Sequence, residues 1–133
     1  MDDRTTPTTA IPAQLWAVRV AALAHLAAIL WEGATAGQLV TFNEAALPLH
    51  YYGAFGVHAM AVLQVAAALW YWNSAGRGAG IPRTLLLVSG LAFLLGFPQA
   101  ALGTYGPLQA HVPLALVLTG AAVWAAALAW RRP

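Results

Sequence analysis

The sequence predicts an all-α integral membrane protein, an up-down-up-down four-helix bundle with both termini in the cytoplasm. Hydrophobic residues make up 61% of its 133 residues and charged residues 8%, against about 45–50% and about 25% in an ordinary soluble domain. Four apolar runs each approach or exceed the roughly 20 residues a helix needs to cross a hydrocarbon core about 30 Å thick. The breaks between them are short and rich in turn formers, so successive helices are expected to be antiparallel neighbours.

The elements follow in order. Residues 1–14, with Pro7 and Pro12, read as a polar N-terminal tail, and residues 15–131 as one transmembrane domain. Its spans are expected at residues 15–36, 49–72, 84–102 and 108–130. The first break runs from Thr41 to Pro48, the second from Asn73 to Arg83 and the third from Gly103 to Pro107. Every basic residue is an arginine, and with four spans Arg4, Arg77, Arg83, Arg131 and Arg132 all fall on the side of the termini. The other two loops carry no Arg or Lys, which sets that side as cytoplasmic. Trp16, Trp70, Trp72 and Trp130 then form an inner aromatic belt, and Trp31, Tyr51, Tyr52 and Tyr105 an outer one. The expected location is the bacterial inner membrane.

Composition also excludes classes of function. A net charge of +2 with no dense basic cluster argues against nucleic-acid binding. Without cysteine there is no disulfide, thiolate metal site, iron–sulfur cluster or covalently attached haem. No P-loop, dinucleotide fingerprint, HExxH or nucleophile elbow occurs. Small residues along several helix faces, among them Gly33, Gly37, Gly53 and Gly56, suggest close helix packing and a homo-oligomer or a place as a subunit of a membrane complex.

An ionisable residue inside a span is costly and marks a candidate site. Counting along each span places Glu32, His50, Gln99 and His111 in one layer near the outer face, with His25 and His58 near the midplane. His25 and Glu32, seven apart, share a face of span 1, whereas His58 is rotated about 80° from His50 on span 2. Gly53 and Ala115 lie one turn below His50 and His111, leaving room for something flat. Spans 2 and 4 are diagonal in a simple bundle, so His50 and His111 face each other at one depth, as a bis-histidine haem requires. Tyr105, Glu32 and Gln99 are candidates for orienting that site. His25 and His58, on neighbouring spans, are the second choice of ligands. Either imidazole pair also fits a bland role, wet at the interface or hydrogen-bonded between helices.

The segments Leu49-His50-Tyr51-Tyr52-Gly53-Ala54 and Gln109-Ala110-His111-Val112-Pro113-Leu114-Ala115 each open a span at its outer end. In this plan the chain resembles one four-helix half of the haem A synthase family, and it is similar to small four-span bacterial membrane proteins of cytochrome b type. The resemblance implies that His50 and His111 ligate a haem b near the outer face. This chain has one four-helix unit, and its nearest carboxylate before His50, Glu44, stands six residues upstream. The expected function is thus a membrane b-type haem protein in electron transfer or haem-dependent redox chemistry, with a quinone or a periplasmic redox partner. Two other readings stay open: a haem-free small subunit of a larger membrane complex, and a non-haem metal site of His50, His111 and Glu32.

Overall fold

In a computed structural model, residues 11–78 and 80–131 are described, so most of the expected tail, with Arg4, and also Arg132 lie outside the described residues. The chain forms α1 (Ala13–Val40), a single 3-10 turn (Glu44–Ala46), α2 (Leu47–Ser74), α3 (Ile81–Tyr105) and α4 (Leu108–Trp130). All four helices are long and apolar enough to cross a bilayer, which makes this a multi-pass membrane protein. The first three outrun the expected spans at both ends, because hydropathy reports residence in hydrocarbon while helix continues through polar residues such as Gln38 and Asn73. A helix of 28 residues is about 42 Å long at 1.5 Å per residue. The chain therefore projects past a core about 30 Å thick.

Proline and glycine punctuate the helices. Pro12 and Pro107 precede α1 and α4, while Pro48 and Pro82 fall in the first turns of α2 and α3, where a missing N–H costs nothing. The turn after α2 needs left-handed backbone, supplied by Gly76 at φ 79° and Arg77 at φ 57°. It is held by Arg77 Nε donating to Asn73 Oδ1 at 2.8 Å. The expected third loop shrinks to Gly106 and Pro107, since Gly103, Thr104 and Tyr105 form the last turn of α3.

Each helix packs against two others, in the cycle α1–α2–α3–α4–α1, which sets α2 and α4 diagonally across the bundle. The shared interior is made of small and branched residues, with Val18, Ala22, Ala68, Leu85, Ala122 and Ala125 buried. Large apolar side chains such as Leu30, Phe55, Leu94 and Leu116 face outward, the arrangement that a lipid solvent permits. Of the glycines expected to serve close packing, Gly33, Gly37 and Gly56 have open space where a Cβ would stand. Only Gly53 lies hard against a neighbouring helix.

Two polar constructions tie the helices together. At one end the Arg19 guanidinium sits 5.2 Å from both the Trp16 and the Trp130 ring, and its Nε donates to the Ala129 carbonyl at 2.9 Å. In the middle, His25 Nδ1 donates to Gln64 Oε1 at 2.8 Å and Gln64 Nε2 donates to Ser89 Oγ at 2.9 Å. All three side chains of this chain are 1% exposed. Polar bonds between helices in a bilayer contribute about 0.6 kcal/mol on average and up to about 1.7 kcal/mol. Gln64→Leu breaks both bonds and is expected to lower unfolding stability by about 1–3 kcal/mol, measured by detergent titration against the parent. An unchanged midpoint would mean that the chain adds nothing to stability.

Candidate functional site

Four of the sequence-selected polar residues meet at one end of the bundle. The Glu32 side chain, near the end of α1, reaches His50 in the first turn of α2, with Oε2 3.1 Å from Nδ1. Thr35, one turn further along α1, donates its hydroxyl proton to the Trp31 and Glu32 carbonyls at 3.1 and 3.0 Å. Its oxygen therefore accepts from His50 Nδ1, 3.0 Å away. The His50 Nδ1–H is thus shared between a hydroxyl and a carboxylate, which leaves Nε2 as the nitrogen with a free lone pair.

His111 is held in the same sense from the other side. Its Nδ1 donates to the backbone carbonyl of Gln99 at 3.0 Å. The Gln99 side-chain amide lies 3.1 Å from Nδ1 and 3.3 Å from Nε2, so a metal at Nε2 requires that amide to turn away. Pro98, inside α3, has no N–H to offer the Leu94 carbonyl. The centroids of the His50 and His111 rings are 6.5 Å apart with planes crossed at 77°. Two acceptor oxygens beside them, Glu32 Oε1 and Gln99 Oε1, are buried without a partner among the described residues.

No protein-family model, curated protein or solved structure matches the chain.

Glycines set how closely these groups approach. A Cβ at Gly53 would occupy the place of the Glu32 carboxylate and stand 3.2 Å from the Trp31 ring. The room that the sequence suggested for a flat ligand beside His50 is therefore taken by Glu32 itself. A Cβ at Gly103 would stand 2.7 Å from His111 Cε1, so that ring rests directly on the backbone of α3. Sequence reasoning missed Gly103 and Thr35. The signal for Gly103 is its place one turn after Gln99, while Thr35 reads in sequence as an ordinary small residue.

The remaining candidates stand elsewhere. Tyr105 is 90% exposed at the end of α3. His25 belongs to the buried chain with Gln64 and Ser89, and its Nε2 has no partner among the described residues. His58 bonds its own helix through Nδ1, 2.8 Å from the Ala54 carbonyl, and packs on Gly96 and Phe97. These two histidines therefore do not bond each other. Among the described residues no three of His, Asp and Glu are grouped to hold a metal ion. Of the expected non-haem set His50, His111 and Glu32, the Glu32 carboxylate lies with Oε2 on Nδ1 of His50.

Proposed function

We propose that this protein is a membrane b-type haem protein in which His50 and His111 are the two axial ligands. One observation carries the reading: two imidazoles on diagonal helices lie 6.5 Å apart with their planes crossed at 77°, each with Nδ1 engaged by an acceptor. A ligating histidine characteristically donates its other N–H to a carboxylate or a backbone carbonyl, as His50 does to Glu32 and His111 to Gln99. These partners fix the tautomer and the ring orientation, so Nε2 is the ligating nitrogen in both. When bound, the haem supplies one-electron redox chemistry at its iron. The direct test is the absorption spectrum of detergent-purified protein supplied with haem b. A sharp, reducible Soret band is expected; protein that stays colourless would overturn the reading.

The bundle in this reading runs up-down-up-down in the bacterial inner membrane, with both termini cytoplasmic and the histidine pair at the periplasmic side. The support is the arginine distribution: Arg77, Arg83 and Arg131 against none in the two loops nearest His50 and His111. A cysteine at Asn43 is expected to react with a membrane-impermeant reagent in intact cells, and one at Asn73 to be protected. The reverse pattern would invert the orientation. Electron exchange would be with a lipid-soluble quinone or a periplasmic protein. His58→Ala is expected to leave the haem spectrum unchanged, because His58 lies eight residues, about 12 Å of helix, from His50. Loss of haem in that variant would move the ligand set to the midplane.

A further inference from the structure

A second site lies in the outward face between α2 and α3. Phe55, His58, Ala59 and Val62 from α2, with Phe93 and Phe97 from α3, line a groove of about 460 Å³. Phe55 and Phe97 are more than half exposed, so in a bilayer the groove opens to the hydrocarbon. Its one polar side chain is His58. The His58 ring meets Phe97 edge-on at 5.0 Å, and Phe97 meets Phe93 at 5.1 Å. Gly96 lets the imidazole lie against α3, where a Cβ would come within 3.2 Å of Nε2.

The tautomer decides what the groove can hold. Nδ1 must carry the proton to bond the Ala54 carbonyl at 2.8 Å, so Nε2 of the neutral ring is a hydrogen-bond acceptor. It has no hydrogen-bond partner among the described residues. An acyl chain in the groove would leave that lone pair unpaired in hydrocarbon, which is unfavourable. A ligand that brings a hydroxyl would satisfy it, and the three phenyl rings favour an aromatic body in edge-to-face or offset contact. A quinone offers only carbonyl acceptors, which cannot pair with an acceptor nitrogen.

We propose that this groove binds the head group of a lipid-soluble hydroquinone, with a ring hydroxyl donating to His58 Nε2. The site discriminates redox state, taking the reduced ring in preference to the oxidised one. It stands on the groove and the His58 tautomer, independently of haem at His50 and His111.

The test uses purified protein in detergent under argon with three probes of one scaffold: decyl hydroquinone, its quinone and its dimethyl ether. Calorimetric titration is expected to give about tenfold tighter binding for the hydroquinone than for the ether or the quinone, the worth of one hydrogen bond. In His58→Phe the three probes are expected to bind alike. In the parent protein, the ¹⁵N resonance of His58 Nε2 should shift with the hydroquinone and stay in place with the ether, a readout that needs no variant to fold. Equal binding of all three probes, no binding, an unmoved resonance, or a hydroquinone preference that survives His58→Phe would each overturn the proposal.

Discussion

His50→Ala and His111→Ala are each expected to weaken haem binding more than any change at the residues that only orient these rings. Outer-shell partners of a ligating histidine are worth about 10–100-fold in metal affinity, and removing the ligand itself should exceed that. Whatever haem remains should show a single-ligand spectrum, since one axial position is then open. Glu32→Gln and Thr35→Val form the graded comparison. Each leaves His50 in place: Thr35→Val removes one of the two acceptors for its Nδ1–H, and Glu32→Gln replaces the charged acceptor by a neutral amide oxygen, so a loss within about 10–100-fold is expected from either alone. Haem titrations of the four variants in one detergent supply the series. Equal affinity in His50→Ala and in the parent protein would remove His50 from the site.

Gly53→Ala is expected to have the largest effect of any glycine change in the helices. The added methyl falls where the Glu32 carboxylate lies, beside the Trp31 ring. Overpacking of this kind typically costs about 1–3 kcal/mol. To make room, Glu32 must abandon its contact with His50, so the variant should also bind haem less tightly. Gly56→Ala is the matched control: it lies three residues along α2 with open space at its Cβ position. Replacing a mid-helix glycine by alanine gains roughly 0.5–1 kcal/mol of helix stability where nothing obstructs it. Unfolding followed by circular dichroism should therefore move in opposite directions for the two variants. The same direction in both would mean that the tight approach of α1 to α2 at Gly53 does not constrain the site.

The contrast between these glycines marks how far the sequence could be read. Depth was legible, because residue number converts to height at 1.5 Å per residue once the spans are set. Glu32, His50, Gln99 and His111 accordingly meet at one end of the bundle. Rotation was not legible. Each helix is apolar almost all round, and without a polar face the sequence does not say which stripe turns inward. Hence Gln64, which shares a stripe of α2 with His50, could not be matched in advance to His25 and Ser89. Gly53 likewise could be seen to lie below His50, but not to be filled by a carboxylate from α1. The outer reach of the helices was hidden for another reason: Gln38 and Asn73 end the hydropathy signal without ending the backbone hydrogen bonding.

The axial ligands are read most directly by electron paramagnetic resonance of the ferric protein after loading with haem b. A low-spin signal of bis-imidazole type is expected in the parent protein, giving way to a high-spin signal in both His50→Ala and His111→Ala. A parent protein that takes up no haem, or a low-spin signal that persists in either variant, would contradict ligation by His50 and His111.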